Sequence, residues 1–146
     1  MSRTNTGKRI LTAAVVAFPL IGALADWNQS HIFNPTWPPH ARYHAASMSV
    51  IVSCTAAIAM WLLWRRSAEP ELGIKVAALI SLTLWTPFLY LTLVVPGTSL
   101  YAGRTPPVVQ HTIAGMMIEP QVVLAIIFLS LTALGYSLAR RGDAAT

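Results

Sequence analysis

The strongest constraint on this chain is that its apolar residues come in four long runs, Ile10 to Ala25, Ala45 to Trp64, Ile74 to Val95 and Gln121 to Ala139. Each is close to the ~20 residues that cross a hydrocarbon core as a helix. None alternates with the two-residue period of a barrel strand. Backbone in lipid must satisfy its hydrogen bonds within helices or a closed barrel, so the runs read as helices. With 55% hydrophobic and 10% charged residues and a mean hydropathy of +0.58, too little polar surface remains for a water-soluble globule.

The expected fold is therefore all-α. Residues 1–146 form one integral membrane four-helix bundle, with spans at about 10–26, 41–64, 74–95 and 120–139 and outer loops at 27–40 and 96–119. Arg3, Lys8 and Arg9, then Arg65, Arg66 and Lys75, and finally Arg140 and Arg141 flank the runs on one side. Only Arg42 and Arg104 fall in the opposite loops. The positive-inside tendency then puts both termini in the cytoplasm, in a multi-pass protein of a bacterial inner membrane. The formal charge of +5 is a topology signal, and its scatter over helix ends argues against nucleic acid as a partner. Charges before the first run also suit a signal peptide, but Asp26-Trp27-Asn28 is a poor cleavage site, so that run is expected to stay as a helix. Cys54, the single cysteine, permits no intramolecular disulfide.

Polar chemistry is concentrated in two stretches. Asp26 to His44 gathers three of the four histidines, and Pro96 to Glu119 carries the fourth, His111. Pro38-Pro39 is placed to open the second helix, which sets His40 and His44 one turn apart on one face with Ser47 beyond them. Small residues along that helix, Ala45, Ser49, Ser53, Ala56 and Ala59 among them, allow close helix packing or a flat ligand. Pro87 predicts a kink in the third helix, where Thr83, Thr86 and Tyr90 form a polar stripe facing the bundle or a cavity. The threonines can equally bond back to their own helix. Val108 to Glu119, with Met116 and Met117, reads as a short interfacial helix or a re-entrant cover. Glu119 before Pro120 suits a helix dipole as well as it suits acid catalysis.

Three chemistries fit these residues. A divalent metal would take His40 and His44, joined by His31, His111, Asp26 or Glu119, although no H-E-x-x-H pattern is present. A haem would need one axial histidine and, without C-x-x-C-H, would be held non-covalently. A haem-free acid–base isomerase or hydrolase of a lipophilic substrate would use Asp26, Glu119 or a histidine. A non-enzymatic scaffold, with Asp26 paired to Arg42, uses the same residues structurally.

Ala41-Arg42-Tyr43-His44 at the second run, Trp85 with Phe88 and Tyr90 in the third, and Leu134-Gly135-Tyr136-Ser137-Leu138-Ala139-Arg140 closing the fourth resemble the styrene oxide isomerases. These are small four-span membrane enzymes. The resemblance implies haem b ligated by His44 and a homo-trimer; His40, one turn earlier on the same face, is the alternative ligand that the spacing offers. The resemblance also implies an isomerase whose ferric iron acts as a Lewis acid in the rearrangement of an epoxide to a carbonyl compound (the Meinwald reaction), without net redox change. Tyr90, Asp26 and Glu119 are the expected catalytic residues, and Ser47, Thr86 and Trp85 the expected substrate contacts. The pocket must be dry, because water would trap the opening epoxide as a diol. The family's asparagine on the second helix is Val50 here. The first loop instead resembles a group of uncharacterised small membrane proteins carrying D-W-N-x-x-H-x-F-N-P-x-W-P-x-H-A-R-x-H. The expected function is an isomerase-like enzyme acting on a small lipophilic substrate among membrane lipids; the haem-free alternative resembles the emopamil-binding sterol isomerases.

Overall fold

The computed structural model describes residues 2–100, 112–113, 116–117 and 119–141. Its helices are α1 (Arg3–Asp26), α2 (Pro39–Trp64), α3 (Pro70–Trp85), α4 (Pro87–Val94) and α5 (Pro120–Arg141). Four of these begin on a proline, and at Pro39, Pro70 and Pro120 the missing N–H costs no intrahelical bond while φ is already helical. α1 instead begins after Ser2, whose hydroxyl accepts the Asn5 N–H at 3.3 Å.

Among the described residues the regular structure is all helix apart from a two-residue antiparallel pairing of Thr112–Ile113 with Met116–Met117. The stretch Val108 to Glu119, expected as a short interfacial helix or a re-entrant cover, lies mostly outside the described residues. His111, Arg104 and Tyr101 lie outside the described residues.

Helices α1, α2 and α5 are each long and apolar enough to cross a membrane, and α3 with α4 makes a fourth such unit if the bent pair is taken as one. The bend is 43° and sits at Thr86-Pro87. Pro87 has no N–H to offer Thr83 and its ring crowds that carbonyl, so the ladder breaks there. Thr86 closes α3 with its N–H and its hydroxyl both on the Leu82 carbonyl, at 3.0 and 2.8 Å.

Packing depends on small residues. A Cβ on Gly7 would lie 2.3 Å from the Ala139 nitrogen, and one on Gly135 would lie 3.0 Å from the Gly7 oxygen, so α1 and α5 touch backbone to backbone. Gly73 similarly admits the Leu62 carbonyl, 2.3 Å from where its Cβ would be. α3 packs on α1, α2 and α5, and the buried cluster joins Leu11 and Val15 to Ala59, Leu63, Ile74 and Ala77. Two polar contacts cross this core. Ser81 and Thr132 share a hydrogen bond of 2.7 Å, and Trp85 Nε1 donates to the Ala14 carbonyl at 2.9 Å.

Trp64 Nε1 donates to Thr12 at 2.8 Å, and Lys8 lies over the Trp64 ring. With the Gly7–Ala139 and Gly73–Leu62 contacts, this gathers the N-terminal ends of α1 and α3 and the C-terminal ends of α2 and α5 together. The 27–38 connection and the end of α4 lie opposite. Leu24, Met48, Ile51, Leu79 and Leu93 point outward, a surface suited to lipid chains.

Candidate functional site

The segment between α1 and α2 is a built structure. Its backbone turns back on itself through Ile32 N–H to the Asp26 carbonyl (3.0 Å) and Phe33 N–H to the Asn28 carbonyl (3.0 Å). Two asparagines secure the turns with their side chains. Asn28 Oδ1 accepts the Ser30 N–H at 2.8 Å, and Asn34 Oδ1 accepts the Thr36 N–H at 3.0 Å. Edge-to-face ring contacts, Trp27 on Phe33 and His31 on Trp37, pack the loop, and Ile32 is buried beneath it. Arg42 reaches back from α2, donating to the Trp37 carbonyl at 3.2 Å and the Pro35 carbonyl at 3.5 Å.

This arrangement decides the partner of Asp26. The scaffold reading paired it with Arg42, but that guanidinium is engaged by the two loop carbonyls. Asp26 Oδ1 instead faces His31 Nε2 at 3.9 Å, with 43% of its side chain exposed. The other ring nitrogen of His31 is 2.8 Å from the Ser30 hydroxyl.

His40 and His44 do meet one turn apart at the start of α2. Their Nε2 atoms are 2.9 Å apart and their ring centroids 4.4 Å apart, with Tyr43 edge-on to His44 at 5.8 Å. Both are exposed. One nitrogen donates and the other accepts, so each ring fixes the tautomer of its neighbour. Two convergent imidazoles on one helix face can hold one metal ion between them or offer one axial ligand to a haem. Among the described residues no third histidine, cysteine or carboxylate joins them.

A cavity of about 160 Å³ opens between α1 and α2, lined by Phe18, Gly22 and Asp26 on one helix and Ala45, Ser49 and Val52 on the other. Cavities of about 150 Å³ accept benzene, so a small monocyclic molecule fits here and a porphyrin does not. At 3.6 residues per turn the cavity face of α2 lies roughly a third of a turn from the face carrying His40, His44 and Ser47. Haem on His44 would thus lie on the outer face of α2 beside His40 and Ser47, and not in this cavity. Asp26 belongs to the cavity and His44 to that outer face.

The remaining expected residues are dispersed. Trp85, expected at the substrate, is a core residue, 2% exposed, stacked on Phe128 at 4.4 Å and edge-on to Phe18 at 5.0 Å. It reaches the cavity only through Phe18. The Thr83 and Thr86 hydroxyls bond back to the Leu79 and Leu82 carbonyls, and Tyr90 is 46% exposed on α4, which packs on α3 and α5. Ser47 is half-buried beside the histidine pair. Glu119 immediately precedes α5, where its carbonyl accepts the Val122 and Val123 N–H groups. Its Oε2 is buried with no hydrogen-bond partner among the described residues.

Sequence reading missed two features. The cavity needs Gly22 and Ala23 opposite Ala45 and Ser49, and small residues facing each other across two helices leave no sign in either run alone. Asn28 and Ser30 as the residues that hold His31 were legible in principle, since Asn-x-Ser after a helix end favours a side-chain turn.

Comparison with protein families gives one match: a model described as a family of unknown function (DUF6640) covers residues 20–145, including the whole segment from Asp26 to His44. Neither the curated proteins nor the solved structures contain a match to this chain.

Proposed function

Taking as premise that the chain belongs to this family of unknown function, DUF6640, we propose that it is a membrane-embedded, isomerase-like enzyme holding haem b through His44 and acting on a small lipophilic substrate. An epoxide rearranged to a carbonyl compound is the reaction to which its sequence likeness points. The observation that carries this reading is the exposed His40–His44 pair, with its Nε2 atoms 2.9 Å apart at the start of a long apolar helix. Bound there, haem would supply a ferric Lewis acid.

The chain's own residues do the rest. His44 is the ligand. His40 orients its ring and sets which nitrogen carries the hydrogen, as partners of a ligating histidine do. Tyr43 packs edge-on against the His44 ring. Ser47 lies beside the histidines on α2, while Tyr90 on α4 and Glu119 before α5 stand apart from them within one chain and are no part of this His44 site. The frame is a four-helix bundle, α3 and α4 forming one bent span, with both termini on the cytoplasmic side of a bacterial inner membrane. Its support is the gathering of Lys8, Arg65 and Arg140 at one end, each lying over an aromatic ring. A homo-trimer is part of the proposal.

A second reading has its own observation. Asp26, at the end of the α1–α2 cavity and facing His31, suits haem-free acid–base isomerisation of a ligand in that cavity.

The test is an absorption spectrum of the detergent-purified protein from haem-supplemented cells. A Soret band that co-purifies near one haem per chain is the expected result. Its absence overturns the haem reading and leaves the acid–base one.

A further inference from the structure

The hydrogen bonds of the first loop place every hydrogen around His31. Asn28 Nδ2 donates to the Ala25 carbonyl at 2.6 Å, and Asn28 Oδ1 accepts the Ser30 N–H at 2.8 Å, so the amide can point only one way. Ser30 Oγ lies 2.5 Å from that same Oδ1. A carbonyl oxygen has no hydrogen to give, so the serine hydroxyl donates. Its lone pair therefore receives the hydrogen of His31 Nδ1, 2.8 Å away. In the neutral ring the lone pair is then on Nε2.

That nitrogen faces Asp26 Oδ1 at 3.9 Å. Two acceptors thus look at each other, which calls for a donor between them. Arg42 is held by Trp37 and Pro35, and His31 is the one ion-pair contact of Asp26 among the described residues. Asp26 also ends a cavity that is otherwise mostly apolar, running from Asp26 and Ala45 to Phe18 and Val52. At 1.5 Å per helical residue this is roughly 11 Å long. One end is greasy and the other is the Asp26 carboxylate, with the His31 imidazole next to it just outside the lining.

We propose that the α1–α2 cavity binds a small lipophilic cation bearing N–H donors, its apolar part against Phe18 and Val52 and its charged head on Asp26 and His31 Nε2. The site is separate from the His40–His44 face and stands without the haem reading. Planar cations suit it best, because two parallel N–H groups match a carboxylate in a way a point charge does not.

The test uses the full chain in detergent, with empty micelles as blank, and two probes of one shape: benzamidinium, which is charged, and benzamide, which is neutral. Titration calorimetry or ligand-observed NMR should find benzamidinium bound roughly 10-fold more tightly, the gain of one charge-assisted contact at a half-open site. Asp26→Asn should bring the two probes to equal affinity. Only the Asp26 carbonyl, which the variant keeps, joins the loop's backbone bonds. Gly22→Leu should abolish both, since a Cβ at Gly22 meets nothing within 4 Å and the side chain has the cavity to fill. Equal binding of the two probes by the unaltered protein overturns the proposal, as when a proton on His31 already serves Asp26. So does a preference for the cation that survives Asp26→Asn. The Soret region separates this from the haem reading, because a protonated amidine has no lone pair to offer iron and should leave any band unmoved.

Discussion

Gly7→Leu is expected to leave little or no folded protein to purify. The obstacle at Gly7 is backbone, with Ala139 N at 2.3 Å, Gly135 O at 2.5 Å and Ala139 Cα at 2.8 Å from the position of a Cβ. A flexible side chain could swing aside. A helix axis cannot do so without parting α1 from α5 along its length. Overpacking a core ordinarily costs about 1–3 kcal/mol, and more where the backbone itself must move. The close approach is also what holds these helices together, because lipid chains are as apolar as leucine and helix association in lipid rests on packing. The measurement is the yield of monodisperse protein on gel filtration and the midpoint of thermal unfolding, with Gly22→Leu as the matched control. Gly22 lies on the same helix with open space around it, so its leucine should fold. A Gly7→Leu protein that melts with the unaltered chain would show that α1 and α5 do not meet this way.

Trp85→Ala should destabilise the protein by about 3–5 kcal/mol, the usual cost of removing a large buried aromatic side chain. The ring is 2% exposed, stacked on Phe128 and edge-on to Phe18, and its Nε1 is the donor that reaches across to α1 at Ala14. Its loss opens a hole where α1, α3 and α5 converge, just below the bend at Pro87. Trp61→Ala provides the contrast. That ring is 63% exposed with Arg65 over it, and its removal should shift the midpoint little. Comparable losses for the two tryptophans would place Trp85 at the surface and contradict the packing described above.

The two tryptophans also indicate how far the sequence could be read. Long apolar runs and the prolines at their starts prescribe helices, because lipid leaves the backbone no other partner; α2 and α5 begin at Pro39 and Pro120 as that logic requires. Pro87 announced the bend by its missing N–H. A run that is apolar all round does not say which face is inside, however. Trp85 is in the core while Tyr90, five residues on, is outside, and the break between them turns α4 out of register with α3. The threonine stripe faces outward because each hydroxyl is satisfied by its own helix, so no cavity is needed to pay for it.

At the site the local part was legible and the long-range part was not. Four-residue spacing on a helix places His40 against His44 whatever the rest of the chain does. Asp26 was different. Its partner depends on where Arg42 is drawn, and the carbonyls of Pro35 and Trp37 capture that guanidinium only once the loop has closed through Asn28 and Asn34. Gly135 and Ala139, four apart, carried the small-residue signal of a close helix crossing, but nothing in the run named Gly7 as the residue opposite.

His44 is the centre of the functional account, and comparing His44→Ala with His40→Ala tests it most directly. Both variants leave α2 a good helix former at an exposed position in its first two turns, so both should fold. Spectra of the two proteins, purified from haem-supplemented cells, should differ: no Soret band in His44→Ala, and a band that persists with a shifted maximum in His40→Ala, where the ligand keeps its place but loses the partner that orients it. A band that survives intact in His44→Ala would contradict the account.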